Sequence, residues 1–120
     1  MSKVTLVIGA SLKEERYSNK AIRKLVEHDI SVKAIGLRDG EVAGVRIIKE
    51  KRMFEDIDTV TLYLNPKRQE AFYEYIISLK PRRVLFNPGT ENMEFIMELQ
   101  KHGIITEMAC TLVLLATNQY

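Results

Sequence analysis

A single cysteine, Cys110, stands among the 120 residues, which excludes an internal disulfide. Neither a CxxC pair nor a His-x-x-x-His pair occurs, so the chain carries no metal site of familiar spacing. Surplus charge is equally scarce: 18 Lys and Arg face 16 Asp and Glu, a formal balance of +2. That falls short of the dense basic field of a nucleic-acid binder and still admits a small anionic ligand. No apolar run reaches membrane-spanning length. The opening MSKVTLVIGAS is short and passes at once into charged residues, so it reads as a strand, with no membrane anchor or export signal. A reducing, cytoplasmic setting is expected. Missing too are the later glycines of G-x-G-x-x-G: after Gly9 the corresponding places hold Ser11 and Glu14.

What is present suffices for one core. With 46% hydrophobic residues, the chain is expected to form a single domain over residues 1–120 without staples. Val4 to Ile8 is a near-continuous β-branched run, the pattern of a strand covered on both faces in a parallel sheet. Ser18 is a good N-cap for a helix carrying Ala21, Ile22, Leu25 and Val26, ending near His28 and Asp29. Ser31 to Ile35 reads as a second strand, RDGEVAG (residues 38–44) as a turn, and Val45 to Ile48 as a third strand.

Asp58 to Leu64 is again strand-like, and Asn65-Pro66 opens a helix whose stripe is Phe72, Tyr75, Ile76 and Leu79, closed by Pro81. Arg83 to Phe86 supplies a further strand. Thr90 is the expected cap of a helix with Met93, Ile96, Met97 and Gln100 on one side, and one more strand starts near Ile104; on this last strand Leu112 to Leu115 either support a homo-oligomer or belong to the core. The segments LVEHDISV and LQKHGIIT echo each other as a helix end, a turn and a strand start. The alternation predicts an α/β, Rossmann-like, doubly wound parallel sheet of five or six strands with helices on both faces.

In such a sheet, ligands lie beyond the carboxyl ends of the strands, where strand order reverses. Gly9-Ala10-Ser11 lets the chain turn with little bulk, so amides at the following helix start can face an anion, and Arg16 can add a bidentate phosphate contact. Taken blandly, Gly9 is an ordinary tight turn and Arg16 a solvated charge. Tyr17 either stacks on a base or packs as a lid. The second strand ends in Gly36-Leu37-Arg38, with no carboxylate to hold ribose hydroxyls, which disfavours NAD. Arg38 suits a nucleotide bearing an extra phosphate on its ribose, or simply starts a polar turn. Leu64-Asn65-Pro66 and Asn87-Pro88-Gly89 are the remaining strand ends.

Together the Gly-Ala-Ser loop with Arg16-Tyr17-Ser18, Asn65-Pro66, the stretch Asn87-Pro88-Gly89-Thr90-Glu91-Asn92 and a late Cys110 resemble the small bacterial and archaeal CoA-binding proteins over nearly the whole chain. That family is similar to the nucleotide-binding domain of the succinyl-CoA synthetase α-subunit. The resemblance implies coenzyme A across the strand ends, with Gly9, Ala10, Ser11 and Arg16 at its phosphates, Gly36 to Arg38 near adenosine, and Asn65-Pro66 with Asn87 to Gly89 along the rest. Leu12 and Glu14 stand where the family carries prolines, and Leu37-Arg38 where it carries Asn-Pro.

Catalytic groups are few. His28 and His102 read as helix C-terminal residues remote from the crevice, and Cys110, in MACTLVLL, as a buried thiol. Tyr63 and Tyr75 read as core or subunit-contact residues, and the methionines, including Met93, Met97 and Met108, as core filler. The expected activity is therefore binding of CoA or an acyl-CoA without autonomous catalysis. Alternatives are an interaction domain whose crevice has lost its nucleotide, a dinucleotide-binding protein, and an acyl-CoA enzyme working through Cys110.

Overall fold

A computed structural model describes residues 3–120. Seven strands form one sheet in the order β3-β4-β2-β1-β5-β6-β7: β1 Val4–Ala10, β2 Ser31–Gly36, β3 Gly40–Val42, β4 Val45–Ile48, β5 Ile57–Leu62, β6 Arg83–Phe86 and β7 Ile105–Met108. All pairings are parallel except β3 with β4. The sheet thus exceeds the expected five or six strands. The turn at residues 38–44 itself supplies β3, because Ala43 and Gly44 take positive φ of 51° and 82° and fold Gly40–Val42 back onto β4 as a hairpin.

Helices cover both faces. On one, α3 (Tyr73–Leu79) and α4 (Met93–Lys101) bury Tyr75, Ile76, Phe95, Ile96 and Leu99 against Leu6, Ile8, Val60, Leu62, Val84 and Phe86. On the other, α1 (Tyr17–Glu27) and α5 (Thr111–Ala116) bring Ile22, Leu25 and Leu115 onto Val7, Ala34 and Ile47. Strand β1 is buried on both faces, as its near-continuous apolar run requires. Phe86 meets Phe95 edge to face with centroids 6.0 Å apart, and each buried aromatic contributes about 1.5–3 kcal/mol through the area it removes from water.

The structure corrects several local expectations. Ser18 does not cap α1; Arg16 occupies the N-cap and Ser18 is buried in the first turn. Asn92, rather than Thr90, caps α4 by accepting from the Phe95 amide at 3.2 Å, while the Thr90 hydroxyl donates to the Asn87 carbonyl at 2.7 Å. Because α4 buries Phe95, Ile96 and Leu99, Met93 and Met97 face solvent; Met108, on the edge strand, is also exposed. The helix after Asn65-Pro66 is broken into α2 (Pro66–Gln69), a 3₁₀ turn (Glu70–Phe72) and α3.

Leu112 to Leu115 is not a strand. A four-residue apolar run is ambiguous between strand and helix, and here Thr111 and Leu115, four apart, are buried while Val113 faces outward, the spacing of a helix. Cys110 consequently sits at the α5 N-cap, half-buried rather than enclosed in an apolar strand.

The two sequence echoes are one backbone device used twice. Ile30 donates to the Leu25 carbonyl at 3.0 Å and Ile104 to the Leu99 carbonyl at 3.1 Å, each after a left-handed residue, Asp29 (φ 58°) or Gly103 (φ 74°). This is the Schellman closure, which stops a helix and sends the chain straight into the next strand. His28 and His102 stand at these C-caps, and each ring Nδ1 bonds a carbonyl one turn back, that of Lys24 at 2.8 Å or Glu98 at 3.0 Å.

At the amino end of β5 and β6, Asp58 receives two bonds from Arg82, Nε at 2.9 Å and Nη2 at 3.1 Å. The guanidinium bonds hold the Asp58 carboxyl below its usual range, outweighing the opposing effect of burial. A lowered native pKa stabilises the fold in full above the ordinary aspartate value, about 3.9, and that stability disappears as pH falls through the native value. Asp58→Asn is therefore expected to flatten the acid limb of a stability-versus-pH curve measured by urea denaturation; an unchanged limb would contradict the role of this pair.

Candidate functional site

Strand order reverses between β1 and β5, since β2, β4 and β3 lie to one side of β1 and β5, β6 and β7 to the other. The crevice is built there from the strand-end loops. Register slips between Ile8 and Ala10, so that Ala10 pairs with Gly36 and the ends of β1 and β2 are brought together. Gly9 takes φ +94°, and a Cβ on it would lie 2.9 Å from the carbonyl carbon of Tyr63 and 3.1 Å from the Leu64 side chain. Gly36 is needed for a different reason: a Cβ there would overlap the carbonyl oxygen of Ala10. Both glycines let backbones close on each other, so the fold itself accounts for them.

Next to this corner, the loop from Ser11 to Arg16 leads into α1. The Ser11 carbonyl accepts from Asn19 Nδ2 at 2.9 Å, its hydroxyl accepts from the Lys13 amide at 3.1 Å, and the Asn19 amide oxygen is held by Arg23 Nε at 2.8 Å. Glu14, in the same loop, lies 3.6 Å from Arg23 in an exposed ion pair. No side chain caps α1 and its first turn holds no acidic residue, so the positive end of its peptide dipole is free to face an anion. Arg16 is exposed and makes no ion pair among the described residues. Tyr17 is 69% exposed, with Lys20 Nζ 5.4 Å from its ring centroid, so it is not a packing lid. Leu37 and Arg38 form an exposed turn after β2. The Leu12 side chain lies 2.5 Å from where a Cβ on Gly40 would be, so this turn is pressed against the Ser11 loop.

Across the crevice, Asn65 caps α2 by accepting from the Arg68 amide at 3.0 Å, with Pro66 in the first turn. The Leu64 carbonyl accepts from buried Gln69 Nε2 at 2.9 Å; the same nitrogen reaches the Thr90 carbonyl at 2.8 Å, and Gln69 Oε1 accepts from Asn92 at 3.0 Å. Asn87 commits its whole side-chain amide. Its Nδ2 donates to Thr61 Oγ1 at 2.6 Å and to the Leu62 carbonyl at 2.9 Å, and its Oδ1 accepts from the Thr111 amide at 2.8 Å. Thr61 and Thr111 hydroxyls lie 2.8 Å apart. Beyond it Pro88 and Gly89 form an exposed turn, closed by Gly89 donating to Glu91 at 2.9 Å.

The fifteen residues selected on sequence therefore collect at one end of the sheet, in two groups: Gly9 to Ser11 with Arg16 to Ser18 and Gly36 to Arg38 on the β1–β2 side, and Leu64 to Pro66 with Asn87 to Gly89 on the β5–β6 side. Within them Ser18 and Asn87 are buried, whereas Arg16, Tyr17, Leu37 and Arg38 are exposed. Sequence reading missed Asn19, Gln69 and Thr111, which hold these loops, and the ring of Tyr63. Burial pushes the Tyr63 hydroxyl up to about 12. That oxygen has no hydrogen-bond partner among the described residues.

A doubly wound sheet with glycine-closed strand ends and an uncapped helix start at its switch point is the architecture of Rossmann-like nucleotide-binding proteins. The chain belongs to the CoA binding domain family, whose model matches residues 3–116. It is similar to an uncharacterized protein of known crystal structure at 44% identity and a TM-score of 0.96, covering 100% of this chain and 99% of that one. A hypothetical protein from Pyrococcus horikoshii OT3 is similar at 28% identity and TM-score 0.82, covering 93% and 80% of the two chains. A protein from Thermus thermophilus shares the fold at 20% identity and TM-score 0.88, over 99% and 91%. No curated protein matches the chain.

Proposed function

We propose that this protein is a single-domain binder of coenzyme A or an acyl-CoA, held by its strand-end loops and the α1 N-terminus, with no catalytic centre of its own. The observation that carries the reading is the α1 start: uncapped by any side chain, with no acidic residue in its first turn and with the unpaired Arg16 at its N-cap, it adjoins the Gly9–Ser11 turn at the point where strand order reverses. Membership of the CoA binding domain family supports the same ligand. The Gly9 to Ser11 segment with Arg16, Tyr17 and Ser18 receives the diphosphate. Gly36, Leu37 and Arg38 receive the phosphorylated ribose, and Leu64 to Pro66 with Asn87 to Gly89 flank the pantetheine arm. A small-molecule partner and a reducing, cytoplasmic setting suit this role; among the described residues no helix is long and apolar enough to cross a membrane.

Titration calorimetry with CoA, acetyl-CoA, NAD and NADP tests the reading. Saturable binding of CoA, and none of NAD, is expected, and a dinucleotide binding where CoA does not would defeat it. Arg16→Ala is expected to weaken CoA by about 1.5–3 kcal/mol, the worth of a charge-assisted hydrogen bond.

A second reading is favoured by two observations. Leu12 rests on Gly40, and Asn87 spends its whole amide on its own chain, so the loops also have a purely structural use. An interaction domain without nucleotide would purify empty and retain a specific protein partner; native mass spectrometry showing a co-purified mass equal to CoA decides against it.

A further inference from the structure

The sheet ends in two edges, and they differ. On one side β3 is three residues long and carries Glu41, with Asp39 at its start paired to Lys49 at 3.9 Å, the short and charged form in which sheet edges resist further pairing. On the other, β7 reads Ile-Thr-Glu-Met and has β6 as its one neighbour. The Ile105 and Ala109 amides donate inward to the Arg82 and Phe86 carbonyls, at 3.0 and 3.1 Å, so by alternation Thr106 and Met108 turn their N–H and C=O groups away from the sheet. The single charge on this strand does not guard it. Glu107 is drawn onto the sheet face, 3.4 Å from the buried Arg83.

Helix α4 lies over this edge on the other face. Gln100 Nε2 donates to Thr106 Oγ1 at 3.2 Å, which fixes the flank of α4 that is turned toward β7. Met97 and Met93 stand three and seven residues before Gln100, on that same flank. Met108 shares the face of Thr106 by the period of the strand. All three methionines are open to solvent, at 61% for Met93, 57% for Met97 and 62% for Met108; Ile105, on the opposite face of the strand, is 49% exposed. The stripe of Met93, Met97, Gln100, Thr106 and Met108 contains no charged residue.

Whatever covers such an edge needs two layers. An isolated extended peptide would satisfy the outward backbone of β7, but it would lie in the plane of the sheet and leave Met93 and Met97, one layer above, in water. A second copy of this chain supplies both layers. Antiparallel pairing of β7 with its own copy, about a two-fold axis perpendicular to the sheet, keeps the two α4 helices on the same face and turns their methionine flanks toward each other. An uncharged stripe meets its copy without repulsion. We propose that β7 is a dimerisation edge, at which two copies join their sheets antiparallel and bury the Met93, Met97 and Met108 stripes against one another. The crevice between β1 and β5 takes no part in this contact, so the proposal stands apart from the ligand reading.

Sedimentation velocity of the full chain over a concentration series, with amide hydrogen exchange at its dilute and concentrated ends, tests it. A reversible monomer–dimer equilibrium that stops at two copies is expected, with the Thr106 and Met108 amides protected in the concentrated sample alone. Met97→Glu, which sets like charges in the facing stripes, and Thr106→Pro, which removes an outward N–H that β6 does not use, are each expected to weaken dimerisation by roughly tenfold or more. Met53→Glu, at an exposed methionine outside this edge, is expected to leave it unchanged. Should Thr106→Pro disturb the fold, Met97→Glu and the exchange pattern carry the decision. A monomer at every concentration, which would leave the edge to a different protein, growth beyond two copies, or a dimer that Met97→Glu does not weaken would each overturn the proposal.

Discussion

Gly36→Ala is expected to lower stability by about 3 kcal/mol, at the upper end of what inserting a methyl into a filled site costs, and to reduce the melting temperature by roughly 10 °C. The obstacle is backbone. The added Cβ would overlap the Ala10 carbonyl oxygen and press on Ile47 Cγ2 at 3.0 Å, and a carbonyl in a paired strand cannot swing away as a flexible side chain can. Gly89→Ala supplies the comparison. Its φ of +92° is unfavourable for alanine, but nothing lies within 4 Å of the new Cβ, so only conformational strain of about 1–2 kcal/mol is expected. Thermal and urea unfolding of the two variants should separate overlap from strain; equal losses would show that β1 and β2 accommodate the methyl by spreading apart. Such spreading would also displace Ala10, which pairs with Gly36, and Ser11 after it.

Asn87→Leu, which keeps the branched skeleton while removing every hydrogen-bonding atom, is expected to cost about 3–4 kcal/mol. Its three hydrogen bonds join β5, β6 and the start of α5, and all are buried. Leucine leaves the Thr111 amide and the Leu62 carbonyl without their partner in a site that excludes water, and each orphaned group costs about 1–3 kcal/mol. The Thr61 and Thr111 hydroxyls retain each other, which limits the loss. Urea denaturation with a slope like that of the unsubstituted protein and a lower midpoint is the expected result. A loss below about 1 kcal/mol would mean that water or a shifted α5 replaces the amide.

Much of the architecture was legible because it depends on local pattern. The β-branched run Val4 to Ile8 announced a doubly covered strand, and the repeated His-turn-Ile endings announced helices that close and return to the sheet. The strand count was short because β3 has only three residues and rests on positive φ at Ala43, an alanine that carries no turn signal. Thr111 to Ala116 was misassigned because four apolar residues satisfy either periodicity, and the outcome rests on which of them face the sheet. The candidate crevice could be located from Gly9, Gly36, Asn65 and Asn87, yet the residues that brace it were hidden. Gln69 bonds Thr90 across 21 positions and Thr61 meets Thr111 across 50, and polar residues reveal such partners only when the sheet has been assembled. The burial of Arg83, bonded to Thr59 at 2.9 Å and stacked 4.6 Å from the Tyr120 ring centroid, was illegible for the same reason.

The position of β1 at the centre of the sheet has a consequence for how the chain is made. Its first neighbour, β2, follows within thirty residues or so, but its second, β5, pairs Val4 with Ile57. A growing polypeptide must therefore carry its most apolar segment half-covered until residue 62 has left the ribosome, and closing so long a loop is slow. The interval between those two events is when a nascent chain of this protein is most exposed to sticking to its neighbours.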